Sequence, residues 1–372
     1  MQFGPFEMAF RSECMIRGHG GDIYELARKI GCEPGDVIDM SSNINPLGPV
    51  PDLLEYLQRN LSVLNALPDV DGKELVEKFA EGYGLPVERV LAGNGTTQFI
   101  YSSPLALKIK KAVILGPTYA DYGDACRIHN VDLKYVPSEE SNHFQPDVET
   151  LSRLLGDEDA AFICNPNNPT GTLIERNDIL KLCESHPKIR FIIDESYLPF
   201  TDQYDQTTML NSHIDNVIVL HSFSKIFCVP GLRLGFMVAS PKNAARFRRL
   251  YQPWSVNSLA QDAGLFLINH VVSDDTFIRT TQAFVTKEHQ VFRERLGEIE
   301  ALKVFPSVTS FMLIKMREKY DASQLCSILS KDRILIRNCG NFEGLSDQYV
   351  RISLKSSEIN AKVAQKLREI FA

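Results

Sequence analysis

Between about residues 90 and 240 the chain repeats one unit: a short apolar run, a polar break, then a helix-like segment. The runs are 112–115, 132–136, 160–164, 190–194, 217–221 and 235–239. Neighbouring parallel strands need a crossover, usually a helix, so this rhythm predicts a mainly parallel α/β sheet. Ligands in such sheets collect at the carboxyl ends of the strands, and the residues just after each run are where chemistry should sit.

A chain of 372 residues exceeds what one core accommodates, so two packed domains are expected. Beyond Trp254 the pattern changes to longer helical stretches, 257–270 and 277–300, followed by strand-like runs at 310–315 and 334–337. The expected division is an N-terminal arm plus part of a small domain over 1–45, a large α/β domain over 46–255, and a smaller α+β domain over 256–372. No internal repeat or low-complexity tract interrupts this plan. A net charge of -7 without a basic run disfavours a nucleic-acid partner. The eight cysteines include no C-x-x-C pair, which reads as reduced thiols and no metal site. No apolar run is long enough to span a bilayer and the N-terminus lacks an apolar signal core, so a cytoplasmic protein with no membrane partner and a small-molecule substrate is expected.

Four polar segments follow strand-like runs. Ala-Gly-Asn-Gly-Thr-Thr at 92–97 opens a helix-like segment, where free N–H groups and hydroxyls could hold a phosphate. Asn-Pro-Asn-Asn-Pro-Thr-Gly occupies 165–171, Asp-Glu-Ser-Tyr occupies 194–197, and Ser-Phe-Ser-Lys occupies 222–225, with Arg233 eight residues on. Singly each has an ordinary explanation: a turn, a helix N-cap, a surface lysine. Together they supply what pyridoxal 5'-phosphate (PLP) chemistry requires: an amine for the cofactor aldehyde, a carboxylate for the pyridine nitrogen, hydrogen-bonding groups for the phenolic oxygen, and an anion nest.

The series resembles the fold-type I PLP aminotransferases, which implies the PLP-dependent transferase fold. By that resemblance Lys225 carries the cofactor, Asp194 pairs with the pyridine nitrogen, and Asn168 and Tyr197 meet the phenolic oxygen. Gly95, Thr96, Ser222, Ser224 and Arg233 hold the phosphate, and Tyr122, in Pro-Thr-Tyr-Ala-Asp-Tyr at 117–122, stacks on the ring. Arg351, in Tyr-Val-Arg-Ile-Ser at 349–353, matches the arginine that clamps the substrate carboxylate. A second arginine, Arg337, suggests a larger anion, and two arginines suit a phosphate.

The resemblance narrows at His-Gly-Gly-Asp-Ile (19–23), the segment 39–49, Pro-Gly-Leu-Arg-Leu-Gly (230–235), Gln-Pro-Trp-Ser-Val-Asn (252–257) and Ile-Leu-Ile-Arg-Asn-Cys (334–339). These are similar to the threonine-phosphate decarboxylases of cobalamin assembly, which convert O-phospho-L-threonine to aminopropanol phosphate. The likeness implies substrate contacts from His19, Gly20, Asn43, Asn168, Arg337 and Arg351. It also implies a freed carboxylate, which can turn perpendicular to the ring once the arginines hold the phosphate. The sister activity, histidinol-phosphate aminotransferase, would use the same arginines; the His19 and Gln252 segments favour the decarboxylase. O-Phospho-L-serine lacks one methyl, a difference worth only about 1–3 kcal/mol in a pocket.

One position departs from the family. Leu67 stands where relatives carry a tyrosine that reaches the neighbouring subunit's cofactor phosphate, and leucine donates no hydrogen bond. A homodimer is nevertheless the expected assembly.

Overall fold

The computed structural model describes residues 19–317 and 319–372. The first 18 residues, which hold Cys14 and most of the expected N-terminal arm, lie outside the described residues.

After a helix over Ile23–Ile30 comes a two-residue strand, β1 (Ile38–Asp39). The large sheet follows: β2 (Val90–Asn94), β3 (Lys111–Gly116), β4 (Asp132–Pro137), β5 (Ala160–Cys164), β6 (Arg190–Asp194), β7 (Val217–Ser222) and β8 (Leu234–Ala239). Their order is β2-β8-β7-β6-β5-β3-β4, and every pairing is parallel except those of β8, which runs against both neighbours. Strands β5, β7 and β8 are buried along their whole length, as helix-covered strands of such a sheet must be. The sequence placed each of β3 to β8 to within a residue, and the polar stretch 92–94 ends a strand rather than only a turn.

The topology gathers the motifs. The carboxyl ends of β2, β5, β6 and β7 bring Asn94, Cys164, Asp194 and Ser222 to one edge of the sheet. Because β8 is antiparallel, its amino end lies on that same edge: Leu234 pairs with Asn94 and Gly235 with Ser222. Arg233, which precedes a strand rather than follows one, therefore joins the residues that follow strands.

The small domain is a four-stranded antiparallel sheet built from β9 (Leu302–Val304), β10 (Phe311–Met316), β12 (Arg337–Asn338) and β13 (Tyr349–Ser353), ordered β12-β13-β10-β9. The remaining strand, β11 (Ile334–Leu335), pairs in parallel with β1. The expected single run at 334–337 is thus divided at Ile336, because its first half pairs with the N-terminal segment and its second half with β13.

Candidate active site

Strand alternation puts Tyr349, Arg351 and Ser353 on one face of β13. Each makes a contact outside the small sheet. The Tyr349 hydroxyl donates to Glu140 at 2.6 Å, Arg351 donates to the Asn168 side chain and, at 2.5 Å, to the Ser41 carbonyl, and Ser353 donates to Asn43 at 2.7 Å. On the adjacent β10, Phe311 lies under the Arg351 guanidinium at 5.3 Å and packs edge-on against Tyr197. This face of the small sheet forms one wall of the site.

The other wall is the sheet edge of the large domain. One cavity there is lined by Gly95, Thr96, Tyr122, Asn168, Asp194, Tyr197, Ser222, Ser224, Lys225 and Arg233, the ten positions marked in the sequence for cofactor binding. Tyr119, Cys164, Ser196 and Thr97 complete the lining.

Asp194 is buried, and burial pushes its carboxyl pKa up. Opposing that, Oδ1 accepts from the Ser196 N–H at 2.9 Å and from the Ser196 hydroxyl at 2.5 Å, while Oδ2 accepts from the Tyr122 hydroxyl at 2.9 Å. A carboxylate held by three donors inside the protein is poised to receive a cation or an N–H from a ligand. It caps none of the described helices.

Burial, followed by the charges of Arg233 and Arg351, brings the Lys225 ammonium down to a pKa of about 8; Asp194 and Asp121 act the other way. An amine in that range supplies free base near neutral pH, as a nucleophilic lysine must.

The anion cradle is the N-terminus of the helix Gly95–Leu107, thirteen residues long, with unsatisfied N–H groups and a favourable dipole. Gly95 has φ +68°, and a Cβ there would lie 2.6 Å from Arg233 Nη2, so glycine lets the guanidinium close over the helix end. The Arg233 carbonyl also accepts from the Gly95 N–H at 2.9 Å. A buried carboxylate, a depressed lysine and a phosphate cradle on one cavity fit pyridoxal phosphate.

Tyr122 makes a contact at the cavity that its place in the sequence did not show. Its side chain is only 1% exposed, its ring is stacked on Phe162 at 5.6 Å, and its hydroxyl is committed to Asp194. Its hydroxyl thereby holds one oxygen of Asp194 in place. Tyr119, three residues earlier, is partly exposed, lines the same cavity and meets Tyr122 edge-on at 5.7 Å. The sequence offered both tyrosines in one hexapeptide with nothing local to rank them.

The substrate candidates adjoin this cavity. Asn43 donates to the Tyr197 hydroxyl at 3.2 Å, and Asn168 takes its bond from Arg351. Gly20 packs on Ser41, where a Cβ would fall 2.4 Å from the carbonyl oxygen and 3.5 Å from Arg351 Nη2. His19 lies at the mouth, 3.7 Å from Asp121. Arg337 faces Arg351 across β12 and β13, bonds Asn341 at 2.7 Å and stacks on Phe342. Burial, then Arg351, lowers the Arg337 pKa to about 10, and burial lowers that of Arg351 as well. The Arg351 Nε has no hydrogen-bond partner among the described residues. Two buried guanidinium groups with a free donor and no carboxylate between them have the charge and the donors that suit a dianion.

No group of residues suited to a metal ion occurs among the described residues, and none of the described helices is long and apolar enough to cross a membrane.

Residues 35–367 match the family described as aminotransferase class I and II. The chain is 34% identical over 360 residues to the threonine-phosphate decarboxylase of Salmonella typhimurium, covering 95% of this chain and 96% of that one. It is 31% identical over 358 residues to the adenosylcobalamin biosynthesis bifunctional protein CobDQ of Leptospira interrogans, covering 95% of this chain but 41% of that longer one. It is 30% identical to the histidinol-phosphate aminotransferase of Methanococcus maripaludis, with 93% of each chain covered. The crystal structure of L-threonine-O-3-phosphate decarboxylase from Porphyromonas gingivalis superposes with a TM-score of 0.81 at 28% identity, over 90% of this chain and 99% of that one.

Proposed function

Because the chain belongs to the aminotransferase class I and II family, whose cofactor is pyridoxal 5'-phosphate, we propose that it decarboxylates O-phospho-L-threonine, or its phosphoserine homologue, to the amino-alcohol phosphate of the cobalamin nucleotide loop. The observation that carries the substrate class is the pair Arg337 and Arg351, opposed on adjacent strands and without an acidic partner among the described residues. Likeness to the Salmonella decarboxylase and to CobDQ supports the reaction and its setting.

Bound PLP supplies an electron sink for the pair left at Cα when CO2 departs. Lys225 provides the amine that holds the cofactor and is exchanged for the substrate amine; Asp194 stabilises positive charge at the pyridine nitrogen; Gly95, Thr96, Ser222, Ser224 and Arg233 hold the cofactor phosphate. Asn168 and Tyr197 serve the phenolic oxygen, and Tyr119 is the aromatic wall against the ring. Arg337 and Arg351, with Gly20 and Asn43 beside them, take the substrate phosphate. With both arginines committed there, the carboxylate keeps no in-plane clamp and can stand perpendicular to the ring, where its loss is assisted. The Cα–carboxylate bond would break with loss of CO2, and Lys225, holding the proton it takes from the substrate ammonium on exchange, would deliver that proton to Cα. A histidinol-phosphate aminotransferase would use the same two arginines and remains the rival reading.

A second copy of the chain is the proposed partner, in the cytoplasm. Leu54, Leu61, Leu64, Leu67 and Val70 are exposed along one segment, and Trp254, also exposed, donates its backbone N–H to the Val70 carbonyl at 2.8 Å. An apolar strip of this kind suits a subunit interface. Leu67, 75% exposed, would contribute packing there and no hydrogen bond. Formation of aminopropanol phosphate and CO2 from O-phospho-L-threonine without any keto acid tests the reaction; a requirement for a keto acid acceptor would contradict it.

A further inference from the structure

Ser353, at the end of β13, is fully buried, and its hydroxyl has one hydrogen-bond partner among the described residues, Asn43 Oδ1 at 2.7 Å. The residues leading to Asn43 are pinned to the same strand: the Ser353 N–H donates to the Met40 carbonyl at 2.8 Å, and Arg351 donates to that of Ser41 at 2.5 Å. With Oδ1 taken by Ser353, the Asn43 amide turns its nitrogen to the Tyr197 hydroxyl and donates to it at 3.2 Å. Opposite Ser353 in the small sheet is Phe311, which packs edge-on against the Tyr197 ring with centroids 5.0 Å apart. Tyr197 is thus held at both its ring and its hydroxyl, and no part of the mechanism above uses Ser353.

The direction of these bonds decides where the Tyr197 proton goes. A phenol has one O–H to give, and burial pushes the Tyr197 pKa up, so that proton is present at neutral pH. An N–H arriving from Asn43 occupies a lone pair of the oxygen and leaves the proton free for the cavity that Tyr197 lines. The reversed amide would set Oδ1 against Tyr197, where it would draw the proton away from the cavity, and would leave the buried Ser353 hydroxyl proton without an acceptor. We propose that Ser353 is a positioning residue: by donating to Asn43 it fixes the sense of the amide, and so keeps the Tyr197 hydroxyl a donor to the phenolic oxygen of the cofactor. The inference rests on the cofactor role of Tyr197 given above and extends it to a side chain outside the cavity lining. The charged and titratable groups that act on Tyr197 are Arg351, Cys164, Asp194 and Tyr119.

The test follows the absorbance of the lysine-bound cofactor against pH in PLP-loaded enzyme without substrate, for Tyr197→Phe, Ser353→Ala, Ser353→Cys and the double variant of Tyr197→Phe with Ser353→Ala. A donor to the phenolic oxygen favours the form in which the link between cofactor and lysine has lost its proton, so losing the donor moves the transition to higher pH. Tyr197→Phe should move it up by about one unit, and Ser353→Ala in the same direction by a comparable or smaller amount. The double variant should match Tyr197→Phe alone, because Ser353 acts only through that hydroxyl. Ser353→Cys fills the same space with a weak donor, so it should shift as Ser353→Ala does, and it carries the test if the alanine variant folds poorly. A Ser353→Ala shift that adds to that of Tyr197→Phe would overturn the proposal, as would a wild-type transition in Ser353→Cys, which would assign the effect to packing. A shift in Tyr197→Phe with none in Ser353→Ala would overturn the proposal alone, whereas no shift in either would remove the cofactor role of Tyr197 with it. The readout needs no turnover, so the result stands apart from whether phosphothreonine is decarboxylated.

Discussion

Arg337 and Arg351 are paired residues of adjacent antiparallel strands, two guanidinium groups brought together inside the protein where burial lowers the pKa of both and Arg351 makes Arg337 costlier still to keep charged. A fold that only needed stability would not place them so. Replacing Arg337 with leucine should leave the cofactor-loaded protein as stable as wild type or more stable by about 1 kcal/mol, because a buried cation and its repulsion are removed. The same change should raise KM for the phosphorylated substrate by about one to two orders of magnitude, the worth of a charge-assisted contact. Denaturant melts and steady-state kinetics on one preparation check both halves.

Lys225 offers a pH dependence with a definite sign. Its folded pKa, about 8, is below the ordinary lysine value of 10.5, so the free amine grows as pH rises through about 8 and then levels off. Uptake of PLP by the apoenzyme, followed by the absorbance of the lysine-bound cofactor, should quicken over that range and plateau above it. Lys225→Ala should show no such band and no turnover. In the same apoenzyme the unfolded chain binds the extra proton between about pH 8 and 10.5, so this lysine favours folding increasingly as pH rises across that window.

Tyr122 is expected to act through Asp194. Tyr122→Phe keeps the ring on Phe162 and removes only the hydroxyl that donates to Oδ2. Loss of that donor raises the Asp194 pKa further, and kcat should fall by about three- to tenfold with little change in thermal stability. Tyr119→Ala should instead weaken cofactor retention, measured by dialysis and residual absorbance. The reverse pattern, with Tyr122→Phe releasing cofactor and Tyr119→Ala retaining it, would restore the stacking role to Tyr122.

Glu140 joins the two domains. It accepts from Lys315 at 2.8 Å, Tyr349 at 2.6 Å and Lys303 at 2.9 Å, so one carboxylate in the loop after β4 gathers three strands of the small sheet. These bonds, led by that of Lys315, lower its pKa from 4.5 to about 2. Its contribution is therefore present above about pH 4.5 and lost as pH falls toward 2. Glu140→Gln should cost about 1–2 kcal/mol at pH 7, discounted because the carboxylate is about a third exposed, and nearly nothing near pH 2. Unfolding at the two pH values measures the difference.

The sheet and the residues that line its cavity were readable because each motif interrupts an apolar run with residues a strand cannot use, and the topology of such sheets says where that break points. Even Arg233 was marked, although only the reversal of β8 explains why a residue ahead of a strand belongs with residues behind others. What stayed hidden depends on partners distant in sequence. Glu140 lies in Ser-Glu-Glu-Ser-Asn, which reads as a solvated loop until Lys303, Lys315 and Tyr349 fold onto it. The division of 334–338 between two sheets depends on Ile38 and Val350, and no local signal separates the halves. Tyr119 and Tyr122 could be told apart only by which hydroxyl reaches Asp194, a contact across 72 residues.

The central claim is that two arginines holding a phosphate free a carboxylate to leave. The most direct measurement gives the PLP-loaded enzyme O-phospho-L-threonine, O-phospho-L-serine, or L-histidinol phosphate with 2-oxoglutarate, and follows CO2 and glutamate by mass spectrometry. CO2 from a phosphoamino acid with no glutamate from histidinol phosphate is the predicted result, and the ratio of the two phosphoamino acid rates reports whether the pocket reads the methyl group. Glutamate from histidinol phosphate, with no CO2 from either phosphoamino acid, would contradict the account and make the same scaffold an aminotransferase.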